Sequence, residues 1–157
     1  MVRLGGNLMK LRPFTKENID KVMGDLSWTT RREIEIFGVT VEDLKERVTD
    51  MIEKPFTSAF YDDEGVCYIL CGLENIGEKT YRTHFVEREG GLDKIGKEIT
   101  RLFKRMTDNL VEYEGFSFEI LSAFGEGTKA FKWFLAMGFR YSGVENGKFN
   151  KYVKNGE

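Results

Sequence analysis

Few side chains in this sequence could move a proton near neutral pH, and they are scattered along the chain. His84 is the only imidazole, and Glu119, Glu74 and Glu87 are carboxylates within or beside segments that read as strands. Either residue type could take a proton from an amine. One histidine without a positioned nucleophile makes neither a Ser-His-Asp nor a Cys-His arrangement. Cys67 and Cys71 lie four apart in what reads as a single strand. That spacing puts both on one face about 13 Å apart, beyond the reach of a disulfide. A metal site would need more ligands than His84 can add, so both cysteines are expected to pack as small buried hydrophobes.

The elements that must position these residues are clearest from Gly115 to Tyr141, GFSFEILSAFGEGTKAFKWFLAMGFRY. From Phe116 to Ala123 the run is too apolar for a wet edge and reads as a buried central strand. Gly125-Glu126-Gly127 breaks it. From Thr128 to Met137, Ala130, Phe131, Phe134 and Met137 fall at helical spacing. Gly138 stops the helix, since glycine adopts a left-handed conformation most cheaply, and Phe139-Arg140-Tyr141 resumes an extended segment. On this spacing Phe131, Phe134 and Met137 are core.

This strand-helix-glycine-strand unit, ending Ala130, Phe134, Gly138, Phe139, resembles the closing motif of the GNAT superfamily of N-acetyltransferases. Within it, the run Lys132-Trp133-Phe134-Leu135-Ala136-Met137-Gly138-Phe139 is similar to the GNAT-like proteins of tailed phages, among them internal virion proteins. The resemblance implies an α/β GNAT fold: a mixed, mostly antiparallel sheet of six to seven strands with helices on both faces. It also implies a cleft where the fourth and fifth strands splay, and acetyl-CoA as cofactor. In that family the pyrophosphate lies on backbone amides at the start of the long helix, where the helix dipole favours an anion. The matching stretch is Arg88-Glu89-Gly90-Gly91-Leu92-Asp93, so Arg88, Gly90, Gly91, Leu92 and Asp93 are the cofactor-binding candidates. Asp93 occupies a position that is small in the family pattern and is also a natural helix cap. With Glu87 and Glu89 it adds negative charge where phosphates would lie. The tyrosine that commonly protonates the departing thiolate is Phe134 here, and a frequent CoA-contacting asparagine is Gly127. Tyr141, Tyr113 or a water are the substitutes. The catalytic candidates are Glu119, His84 and Glu33. The last comes from a phage-type Arg-x-x-Asp-Arg-x-Glu pattern aligned with Ser27 to Glu33, a stretch that otherwise reads as a solvated helix face.

The remaining chain agrees with this architecture. Leu8 to Pro13 is similar to the start of many GNAT chains, a short strand ending at Arg12-Pro13, and that resemblance implies that residues 1–8 are a leader. Helices are expected from Lys16 to Leu26 behind Thr15, from Trp28 to Phe37, and from Val41 to Lys54 behind Thr40, with Pro55 as a stop. Phe56 to Tyr61, Val66 to Leu73 and Thr80 to Val86 read as a meander, and Leu92 to Leu110 as the longest helix. Val144 to Lys148 signals a hairpin into a last strand from Phe149 to Val153. The 157 residues suit one domain with one core. A hydrophobic content of 41% excludes a disordered chain. With 24 basic and 26 acidic residues the net charge is −2, so no strong field draws the protein to nucleic acid or an anionic membrane. No apolar run is long enough to span a bilayer. The expected setting is the cytoplasm of a host cell, or a virion. The function readings are an acetyl-CoA-dependent N-acetyltransferase acting on a small amine or a protein amino group, and a non-catalytic phage protein of the virion interior, of assembly, or of host-factor binding.

Overall fold

The computed structural model describes residues 2–4, 7–12, 15–52, 54 and 57–156. The expected Arg-Pro strand end at Pro13, the strand start at Phe56 and the stop at Pro55 lie outside these residues. In chain order the elements are β1 (Val2–Leu4), β2 (Asn7–Arg12), α1 (Lys16–Met23), α2 (Trp28–Ile36), α3 (Val41–Asp50), β3 (Thr57–Tyr61) and β4 (Cys67–Gly77). Then follow β5 (Thr80–Glu87), α4 (Gly91–Glu114), β6 (Ser117–Ser122), α5 (Lys129–Ala136), β7 (Arg140–Glu145) and β8 (Phe149–Lys154).

The strands form one sheet in the order β1-β2-β3-β4-β5-β6-β8-β7. β1 pairs with β2, β2 with β3, β3 with β4, β6 with β8 and β7 with β8, all antiparallel. Two residues, Glu78 and Lys79, join β4 to β5, a connection that only antiparallel neighbours allow. Lys79 has φ 55, as a tight hairpin turn requires. β5 and β6 run parallel, with Thr80↔Ser117, Tyr81↔Phe118 and Arg82↔Glu119 at the starts of both strands. The mixed, mostly antiparallel architecture is therefore the one expected. The pairing of β1 with β2 brings the strand count to eight, and β1 falls in the stretch read as a leader.

The chain divides into two compact units, one comprising Met1–Leu73 and His84–Ile99, the other Glu74–Thr83 and Thr100–Glu157. In the first, Ile19, Val22 and Met23 of α1, Leu26 just after it and Val48 of α3 pack on the sheet against Ala59, Cys67, Leu70 and Val86. Both helices start with reciprocal caps, Thr15 with Asn18 and Thr40 with Asp43. α2 buries none of its residues, as its charged composition led one to expect. One expectation is corrected here. A bulge in the β3–β4 ladder pairs Phe60 with Ile69 but Tyr61 with Cys67. The extra residue reverses the alternation, so Cys67 faces the cluster beside Leu70, while Cys71, opposite Ser58, points to the other face. Both thiols are buried.

The second unit is built on Phe103, Phe118, Ile120, Phe134, Met137, Phe139 and Tyr152, all buried. Phe134 meets the Tyr152 ring edge-on at 4.7 Å, and Phe103 stacks on Phe139 at 6.3 Å. Phe134 and Met137 are thus core; Phe131 is half-buried, its ring edge-on to Tyr141 and Tyr152. Asn146 and Gly147, with φ 55 and 65, make the turn between β7 and β8.

Candidate functional site

The cofactor-binding candidates occupy one short turn, from the end of β5 into α4, and all belong to the first unit. The turn is held by main-chain bonds on both sides. The Arg88 N–H donates to the Tyr68 carbonyl at 2.7 Å, the Ser27 N–H to the Glu87 carbonyl at 2.9 Å, and the Glu89 N–H to the Asp25 carbonyl at 2.8 Å. The Glu87 N–H donates to the Thr30 hydroxyl at 3.2 Å. The junction between α1 and α2 therefore clamps the turn that opens α4. Gly90 has φ +80, a conformation in which a side chain would be strained, and α4 begins at the next residue.

The first turn of α4 presents backbone donors with no partner inside the helix. Two of them are taken: the Gly91 N–H donates to the Arg88 carbonyl at 2.9 Å, and the Leu92 N–H donates to Oε2 of Glu87 at 2.7 Å. A Cβ on Gly91 would stand 2.8 Å from Cγ of Glu87 and 3.3 Å from its Oε2, so the glycine is what lets the carboxylate fold back over the helix start. Glu87 rather than Asp93 is the group on this end. Asp93 is exposed in the first turn, two residues inside a helix that starts earlier than the expected cap position.

Arg88 does not reach over the helix start. Its Nε donates to Oδ2 of Asp25 at 3.1 Å, and its guanidinium lies 5.9 Å from the centre of the Tyr68 ring. Glu89 is engaged too, accepting the Trp28 N–H at 3.2 Å on Oε2. Trp28 itself, at the start of α2, leaves its side chain 67% exposed beside this turn. Of the catalytic candidates, His84 lies half-buried on β5 and Glu33 half-buried on α2, both in the first unit.

Glu119 belongs to the second unit. It is 8% exposed on β6 and accepts from Nε of Arg82 at 2.8 Å, with Nζ of Lys151 at 3.7 Å. Arg82 also faces Glu74 at 3.8 Å, and Lys151 faces Glu145 at 3.9 Å. The five groups come from β4, β5, β6, β8 and β7 and form a charge row across the sheet. Glu119 and Glu74 are thus committed to ion pairs.

Among the substitute acids, Tyr141 donates its hydroxyl proton to Oδ1 of Asn150 at 2.8 Å, and Nδ2 of Asn150 donates to the Ala123 carbonyl at 3.2 Å. Tyr152 donates to the Phe124 carbonyl at 2.6 Å. These bonds fasten the end of β6 and the loop after it. Tyr113, 74% exposed, lies near the end of α4 in the second unit.

Three of these contacts were not readable as site features. Asp25, Tyr68 and Asn150 gave no motif, because each acts across many residues of sequence. For Tyr68 the only sequence signal was its position beside Cys67 in β4.

No family model matches the sequence, and no curated protein matches it either. Solved structures do. A GNAT-family acetyltransferase from Bacillus anthracis superposes with a TM-score of 0.64 at 13% identity, over 92% of each chain. One from Listeria monocytogenes gives 0.63 at 16% identity over 98% of each. The spermidine N-acetyltransferase from Vibrio cholerae, in complex with CoA and spermine, gives 0.60 at 15% identity over 93% of this chain and 94% of that one. At these identities the likeness establishes the fold, which is that of the GNAT acetyltransferases.

Proposed function

We propose that this chain is an acetyl-CoA-dependent N-acetyltransferase acting on a primary amine, of a small molecule or of a protein. The observation that carries this reading is the β5–α4 turn. It combines a glycine pair, a helix start and a carboxylate seated on the Leu92 amide there, within a fold shared with acetyltransferases. The turn suits a pyrophosphate in its backbone: Gly90 and Gly91 put no side chain of their own over the helix start, and with the Gly91 N–H already on the Arg88 carbonyl, the amides of Leu92 and Asp93 would be the donors. Bound acetyl-CoA would supply the acetyl thioester. The amine nitrogen forms the new bond to the acetyl carbon as the carbon–sulfur bond breaks. The proton leaves the amine for a base, and the thiolate takes one up.

Glu119 is held in ion pairs with Arg82 and Lys151, which leaves His84 as the candidate nearest in sequence to the turn. Phe134 has no proton to give and is core, and the Tyr141 proton is committed to Asn150. The thiolate would then take its proton from water.

A second reading is favoured by the seating of Glu87 on Leu92 and by the burial of Phe134: a non-catalytic GNAT-fold protein, of the phage type that the Lys132 to Phe139 run suggested, working in the virion interior, in assembly or against a host factor. The test is release of free thiol from millimolar acetyl-CoA in the presence of a panel of primary amines, spermidine among them. Amine-dependent release supports the transferase; none across the panel leaves the binding protein.

A further inference from the structure

We infer that the Glu87 carboxylate is a built-in competitor of the cofactor: it holds the α4 start in the place of a phosphate and must swing away before acetyl-CoA can bind. This rests on the acetyltransferase reading above and specifies how its site is closed at rest. Four observations support it. The Leu92 N–H, a donor that nothing inside the helix can satisfy, is bonded to Oε2 of Glu87 at 2.7 Å. Gly91 has no Cβ, and one placed there would press on Cγ and Oε2 of the same side chain at 2.8 and 3.3 Å. The Glu87 main chain is fixed independently, by Ser27 on its carbonyl and Thr30 on its N–H, so the side chain can turn without moving the strand. Arg88, the one cation in the turn, is drawn off by Asp25 and Tyr68 and does not hold the carboxylate in place.

A carboxylate on that amide excludes a phosphate twice, by taking the donor and by placing like charge within a few ångströms of it. The contact therefore sets a threshold for loading. A ligand must bring enough binding energy elsewhere to displace Glu87, and pyrophosphate alone has none to bring. The displaced carboxylate would then stand free at the edge of the site.

The experiment compares wild type with Glu87→Gln and Glu87→Ala by calorimetric titration with acetyl-CoA and, separately, with inorganic pyrophosphate, after checking that each variant is folded. Exchange of the Leu92 amide is followed by NMR in the same samples. Both variants should bind acetyl-CoA at least about tenfold more tightly than wild type, the alanine variant more so. Pyrophosphate should bind measurably only to the variants. The Leu92 amide should exchange slowly in wild type, fast in ligand-free Glu87→Ala, and slowly again once that variant is loaded. Equal affinity in all three proteins, or a Leu92 amide indifferent to the substitution, would overturn the competitor role and leave the transferase reading standing. No binding of acetyl-CoA to any of them would overturn the transferase reading, and the competitor role with it.

Discussion

Single residues carried unequal information. Phe134 was legible because its apolar neighbours repeat at helical spacing, and the structure puts it in the core against Tyr152. Phe134→Ala should lower the unfolding free energy by about 3–5 kcal/mol in denaturant titrations, through lost burial and a cavity. A loss within about 1 kcal/mol would mean the face is exposed. Glu87 was legible only as unwelcome charge. Its reach to an amide five residues on depends on the turn at Gly90 and the bare Gly91, which no sequence period encodes. The cysteines were read correctly as packed but placed on one face, since a bulge leaves no mark in an alternation pattern. Burial pushes the Cys67 thiol up to about 11, with Arg88 and Lys21 only partly opposing it, and burial pushes Cys71 up further. Neither thiolate forms at neutral pH, so alkylation by iodoacetamide at pH 8 should be slow in the folded protein and complete after denaturation. Rapid labelling of either cysteine in the folded protein would contradict the packing described.

At the scale of elements, helix starts were readable and ends less so. Thr15 and Thr40 are local signals, and both cap as expected. α4 runs on to Glu114, past the expected end at Leu110. β4 extends through Asn75, Ile76 and Gly77, residues that read as a loop, since the hairpin needs only Glu78 and Lys79. The end of α5 holds the least expected feature. Lys154, 6% exposed, donates to the Met137 carbonyl at 2.9 Å and to the Thr107 hydroxyl at 2.7 Å, and pairs with Asp108 at 2.7 Å. A buried ammonium thus caps the helix C-terminus, where the dipole favours it. Gly138, φ +95, is required twice over, for its conformation and because a Cβ would meet Nζ of Lys154 at 2.9 Å. Burial lowers the Lys154 pKa below 10.5 although Asp108 opposes the shift. For Asp108, burial pushes up, but hydrogen bonds and charge from Lys104 and Lys154 hold the carboxyl below its ordinary 3.8. A depressed carboxyl contributes stability that is complete above its unfolded value and lost as pH falls through the folded one. Asp108→Asn should therefore lose less stability than wild type as the pH falls below about 4, read by thermal melts across the acid range. Parallel pH profiles for the two proteins would show the pair is not formed.

At the scale of the molecule, the fold class was the most legible property. A buried strand, a glycine-stopped helix and a returning strand admit few arrangements, and the parallel β5–β6 pairing with a mostly antiparallel remainder is the expected one. What could not be read was how the site closes, because it depends on contacts between α1–α2 and the β5–α4 turn made across about 60 residues of sequence. Among the described residues no helix is long and apolar enough to cross a membrane. The central claim is that the β5–α4 turn is a cofactor site. Its most direct test is a crystal structure of the protein grown with saturating acetyl-CoA. The account predicts the pyrophosphate on the amides of Leu92 and Asp93, with the Glu87 side chain turned off Leu92. A cofactor-free turn with Glu87 still on the Leu92 amide, under saturating ligand, would contradict it.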